Sequence, residues 1–202
     1  MPTLRQAVEQ LYRTAVIDKS ATSTMRLDTL ATYGVQQLEK RGFKGAQVDV
    51  NLPGGARTKK WDVVWFHNGK HRLAISLKSL LKNLGGTVPN RIDDLIGEVT
   101  NLQMFSPEVV VGYLMLFDTS EDTQDTKHGG SWCDVLTRRL QSLSGRGMPA
   151  WGTGMVEAAC VVRLDFSKGP KILTSETELM GFFDVLATEV LKRNPSAGRK
   201  KQ

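Results

Sequence analysis

The chain has 202 residues, 40% of them apolar, enough to bury one substantial core, and a formal charge of +6 with a pI near 9.4 favours a polyanionic partner. No apolar run approaches the roughly 18 residues of a membrane helix, and the N-terminus lacks a basic-then-apolar leader pattern, so a cytoplasmic chain without membrane contact is expected. Cys133 and Cys160 stand far apart without the paired spacing of a zinc site, and read as reduced thiols.

Leu4, Val8, Leu11, Tyr12 and Ala15 recur at helical spacing, predicting a first helix over Thr3 to Ile17. A polar stretch from Asp18 separates it from a second, about Ser23 to Arg41, which stops at Gly42, where a left-handed C-cap belongs. Gln47 to Leu52 alternates as a strand does, and Pro53, Gly54 and Gly55 turn it back. The basic group Arg57, Lys59 and Lys60 then leads into a strand carrying Asp62, followed by the turn His67, Asn68, Gly69, Lys70 and a strand carrying Lys78. An Asn-Gly pair between two strand-like runs signals a hairpin, so Asp62 and Lys78 are predicted on neighbouring strands. Each sits among β-branched and aromatic neighbours, where an unpaired charge would cost at least several kcal/mol. A cross-strand ion pair is the plain alternative to a functional site at this stage.

Leu80 to Pro89 reads as a glycine-containing connection into a helix opening at Asn90. At about 100° per residue, Ile92, Leu95, Ile96, Val99 and Leu102 form an apolar stripe, bordered by a polar strip of Arg91, Asp94, Glu98 and Asn101. Docked on the sheet, that strip would bring acids, an arginine and an amide towards Asp62 and Lys78. Such a convergence suits a divalent cation held beside a phosphate.

Further on, Val109 to Phe117 is a valine-rich run expected as a strand buried on both faces. Asp118 to Gly130 reads as a flexible acidic loop, and Ser131 as the cap of a helix over Trp132 to Leu143. The glycine-rich stretch from Ser144 to Gly154 carries Arg146 and Trp151, and reads either as a loop entering a DNA groove or as a connector anchored by its tryptophan. Ala158 to Phe166 is a further strand, and Thr174 or Ser175 begins a last helix through Leu191. Lys192 to Gln202, with five basic residues, is expected to be a disordered tail. The expectation is one α/β domain over 1–191, with N-terminal helices over 1–45 and an α/β core over 46–191, built on a central mixed sheet of about five strands flanked by helices.

Asp62 followed a strand later by Lys78 resembles the core of the PD-(D/E)XK nucleases. Ser76 to Ser79, followed by Asn90, Arg91, Ile92, Asp93, Asp94 and Gly97, is similar to type II restriction endonucleases of the XhoI-like group. The resemblance covers roughly Trp61 to Leu102, about a fifth of the chain. It implies a restriction-endonuclease-like fold and Mg²⁺-dependent hydrolysis of double-stranded DNA by a homodimer, with cleavage at a short specific site. A structure-specific repair or recombination nuclease, and an inactive DNA-binding relative, are the alternatives.

The usual second acid of that core, two residues before the lysine, is Ser76 here. The resemblance implies a substitute carboxylate from the following helix, with Glu98 first and Asp94 second, and Glu39 as an acid presented by an early helix. Asp62 and Glu98 would then hold Mg²⁺, Lys78 would act on the attacking water and the phosphate, and Ser76 would be a polar bystander. DNA contacts are expected from Lys59, Lys60, Asn90, Arg91, Asn101 and Arg146. A nucleophilic Ser-His or Cys-His mechanism is disfavoured, because His67 and His71 flank a hairpin and His128 lies in the acidic loop.

Overall fold

In the computed structural model, which describes residues 2–20, 24–124, 127, 129–148 and 151–198, the apolar runs form strands β1 (Gln47–Leu52), β2 (Lys59–His67), β3 (Lys70–Leu80), β4 (Val110–Asp118), β5 (Ala158–Asp165) and β6 (Lys171–Ile172). They make one six-stranded sheet in sequence order. β1, β2 and β3 are antiparallel neighbours, β3, β4 and β5 are parallel, and β6 returns antiparallel to β5. The parallel steps run through helices α3 (Leu84–Phe105) and α4 (Trp132–Ser142), which pack on the same face of the sheet. The opposite face is covered by α1 (Leu4–Tyr12), α2 (Asp28–Lys40) and α5 (Glu176–Arg193). The protein is therefore α/β, with a mixed sheet between two helical layers.

The centre of the sheet shows why the middle strands read as continuous apolar runs. Every residue of β4 is buried, because helices cover both its faces. Gly112 in β4 is required by close approach: a Cβ there would come within 2.7 Å of Leu186 and 2.8 Å of Phe182, both on α5.

Several expectations are corrected. The sheet has six strands rather than five, because the two-residue β6 is too short to carry an alternation. The first helix gives way at Tyr12 to one wide π turn over Arg13–Ile17. Helix α3 begins at Leu84 rather than Asn90, so most of the expected connection is helical. Gly85, Gly86 and Pro89 argued against a helix there, yet Leu84 and Val88, one turn apart, are both buried in the core and draw this turn onto the sheet. Lys192 and Arg193 belong to α5, and Pro195–Gly198 forms a 3₁₀ turn, so the tail expected from Lys192 is ordered at least to Gly198. His128 lies outside the described residues.

Candidate active site

The β2–β3 ladder runs from the Asn68–Gly69 turn as far as Val63 opposite Ile75. Beyond that pair the register continues elsewhere: β2 from Lys59 to Trp61 pairs with β1, and β3 from Ser76 to Leu80 pairs with β4. Asp62 stands where the two strands part, and its Oδ2 accepts the Leu77 backbone N–H at 2.7 Å. A carboxylate thus replaces the ladder partner that β2 no longer supplies.

Ser76 and Lys78, two residues apart on β3, face the same side. Helix α3 crosses that side and brings Glu98 to both. Lys78 Nζ donates to Glu98 Oε1 at 3.0 Å, and the buried Ser76 hydroxyl donates to Glu98 Oε2 at 3.2 Å. Lys59, the first residue of β2, also reaches Glu98 Oε1, at 2.5 Å. The Glu98 side chain is 9% exposed, against 20% for Lys78 and 28% for Lys59.

The two carboxylates differ in their electrostatics. Burial pushes the Asp62 pKa up, and the Leu77 N–H and the Lys78 charge only partly offset this, while the nearby Glu98 charge adds to the rise. Burial would raise Glu98 as well, but the ammonium groups of Lys78 and Lys59 outweigh it and hold that carboxyl below its ordinary value. Asp62 is therefore short of positive charge, and Glu98 has two cations on one oxygen. Tyr113, opposite Ser76 on β4, is buried beside them with its phenol pKa raised by burial and by Glu98, so it stays protonated; its hydroxyl donates to the Arg91 carbonyl at 3.4 Å.

Two carboxylates and a hydroxyl are hard oxygen donors, and Mg²⁺ commonly takes only one or two carboxylates together with water and phosphate oxygens. Asp62, whose charge is only partly offset, and Glu98, whose Oε1 already receives two ammonium groups, are the carboxylates that could hold such an ion. Among the described residues no group of three or more His, Cys, Asp or Glu side chains is placed to hold a metal.

The other expected residues are distributed as follows. Asp94 pairs with Arg91 at 2.6 Å and is more exposed than Glu98. Glu39 is exposed on α2, across the sheet. Lys60 pairs with Asp49 at 3.2 Å, and Asn90 is exposed near the start of α3. Asn101 spends its amide on the β1–β2 loop, accepting from the Ala56 and Arg57 N–H groups and donating to the Arg57 carbonyl, with Gly54 so close that a Cβ would overlap the amide. One assignment to DNA, that of Arg146, is corrected. Arg146 is buried, ion-paired to Glu157 at 3.0 Å and bonded to the carbonyls of Pro107, Val109 and Gly152. Trp151 lies under Arg146 and Arg193, so the described part of the glycine-rich stretch is an anchored connector.

Sequence reasoning missed Arg26, which precedes α2 and donates from Nε to Ser79 Oγ at 3.1 Å, beside Lys78 in sequence. Burial lowers its pKa, and the nearby Arg91 charge does so further. No local pattern around Arg26 signals this, because the contact spans more than fifty residues. A groove of about 260 Å³ opens beside the site, between Ala56, Arg57 and Lys59 on one side and Asp93, Asp94, Gly97 and Glu98 on the other. A larger recess of about 810 Å³ follows β5 between α4 and α5, away from these charges. It contains both cysteines, whose thiols burial pushes up to about 11 (Cys133) and about 12 (Cys160), which makes them poor nucleophiles near neutral pH.

Fold and site together define an α/β protein whose mixed sheet parts at its second and third strands around an acid–lysine–acid cluster. Comparison of the chain with protein-family models, with curated proteins and with solved structures found no match.

Proposed function

We propose that the protein is a Mg²⁺-dependent endonuclease acting on double-stranded DNA, of the type II restriction kind, with the cluster at the β2–β3 parting as its active centre. The observation that carries this reading is the meeting of Asp62, Lys78 and Glu98. The strand position occupied by Ser76 lacks a carboxylate, and a helix returns one to the same place through the Ser76 hydroxyl. A restriction-endonuclease-like architecture accords with the mixed sheet flanked by helices on both faces.

In this reading Asp62 and Glu98 hold Mg²⁺, which when bound supplies Lewis-acid activation and charge neutralisation. Lys78 orients the attacking water and offsets negative charge growing on the phosphate oxygens. Ser76 fixes the rotamer of Glu98, and the Leu77 N–H fixes that of Asp62. Lys59 and Arg57 line the groove beside the site and supply phosphate attraction, in keeping with the +6 charge of the chain. A two-fold dimer is the simplest assembly for cutting both strands of a palindrome.

An inactive DNA-binding relative is favoured by one observation, that Glu98 Oε1 already receives two ammonium groups. One gel separates the readings. Phage DNA incubated with the protein and Mg²⁺ should yield discrete fragments. A smear would indicate a nuclease without sequence preference, and a mobility shift without cutting would indicate the binding relative.

A further inference from the structure

Resting on the endonuclease reading, we infer that Lys59 is a tethered cation holding the divalent ion's place at Glu98, to be displaced onto the DNA backbone when metal and DNA bind together. Lys59 and Lys78 both address Oε1 of Glu98, at 2.5 and 3.0 Å, and Ser76 addresses Oε2. Both ammonium groups thus share one oxygen of that carboxylate, and the serine hydroxyl takes the other. A carboxylate oxygen cannot ligate a divalent ion while two ammonium groups remain on it, because the three cations would crowd within a few ångströms of one another in a partly dry site. For the ion to be ligated through Oε1, one ammonium must leave.

The surroundings select Lys59. Lys78 lies inside β3, held in register against Met115 of β4. Lys59 is the first residue of β2, the last rung of the β1–β2 ladder opposite Leu52, directly after the loop that Asn101 holds. Its side chain is the more exposed of the two, and it lines the open groove together with Arg57. A lysine released there loses its carboxylate and faces the place where a phosphate backbone would run. Metal and DNA thereby become coupled. Metal frees the ammonium that DNA needs, DNA stabilises the displaced ammonium, and by linkage each tightens the other by the same factor. Without DNA, the lysine keeps metal affinity low.

The test is calorimetric titration of Mn²⁺ into the DNA-free protein, comparing wild type with Lys59→Gln and Lys59→Met, and with Lys70→Met as a control that removes the same charge at the far hairpin turn. Lys59→Gln and Lys59→Met should bind Mn²⁺ about tenfold more tightly than wild type, within the usual span of site coupling, and Lys70→Met should match wild type. Two Lys59 variants are used so that loss of folding in one leaves the other informative; Lys78 remains as a partner for Glu98 in both. Equal or weaker Mn²⁺ binding by the Lys59 variants would overturn the inference and leave the endonuclease reading standing. An equal gain in Lys70→Met would also overturn it, as a general charge effect. Absence of Mn²⁺ binding in all four proteins would overturn both.

Discussion

Asp62 accepts the backbone N–H of Leu77 at 2.7 Å, across the point where β2 and β3 cease to pair. The bond holds a carboxylate in a partly buried position without giving it a full counter-charge, and its pKa is raised by desolvation as a result. Folding therefore favours the protonated acid: the stabilising contribution is complete below the ordinary carboxyl range and is lost as pH rises through the raised folded value. Asp62→Asn keeps an oxygen for the Leu77 N–H and removes the charge. In chelator, the variant should melt a few degrees above wild type at about pH 7, with the gap closing towards about pH 4. A lower melting temperature at neutral pH would show that Asp62 is already compensated.

Glu98 and Asp94 lie one turn apart on α3, yet only Glu98 meets Ser76 and Lys78, while Asp94 meets Arg91. Glu98→Ala should lower the single-turnover rate of Mg²⁺-dependent cleavage by at least about a hundredfold, and Asp94→Ala by less than about tenfold, the scale expected when a charge-stabilising group is lost or kept. The reverse order would move the metal carboxylate one turn along the helix.

His71 lies beside the Phe105 ring, and its buried Nε2 has no hydrogen-bond partner. Burial lowers its pKa, against the pull of Glu108. The unfolded chain then binds the proton more readily, so the contribution of His71 to stability should rise with pH through the window between the lowered folded value and about 6.5, and be level on either side of it. His71→Phe should flatten that part of the stability profile, read as urea midpoints across the window. A profile as steep as wild type would place the acid sensitivity elsewhere.

Glu157 is fully buried, with Oε1 shared by Arg146 at 3.0 Å and Arg193 at 2.7 Å, and Oε2 accepting from Val111 N at 2.6 Å. Removing its charge leaves two guanidinium groups facing each other with Trp151 beneath them. Glu157→Gln should cost about 3–5 kcal/mol, a fall of roughly 10 °C in melting temperature. A change of under about 1 kcal/mol would mean that the arginines find other partners.

The sequence reading succeeded where local pattern and local geometry coincide. The Asn68–Gly69 turn placed Asp62 and Lys78 on adjacent strands, and helical spacing placed Glu98 on a strip facing them. It failed where a residue's environment is set from far along the chain. Arg146 looked like a groove-reading arginine because glycines surround it, and only Glu157 and the packing over Trp151 take it inside. Lys59 reads as a DNA contact ahead of β2, and nothing nearby announces the carboxylate brought to it from α3. The early start of α3 was hidden by Gly85, Gly86 and Pro89, whose local preferences the packing of Leu84 and Val88 overrides. The contact of Arg26 with Ser79 is likewise one that no spacing rule reaches.

The central claim is that Lys78, anchored on Glu98 beside Asp62, acts in DNA hydrolysis. It is tested most directly by single-turnover cleavage of phage DNA in Mg²⁺ by wild type and Lys78→Ala, with DNA binding followed by gel shift and folding by circular dichroism. Wild type should cut to discrete fragments, and Lys78→Ala should bind DNA and keep its fold while its cleavage rate falls by at least about a thousandfold. Cleavage by Lys78→Ala at close to the wild-type rate, or no cleavage by wild type in Mg²⁺, would contradict the account.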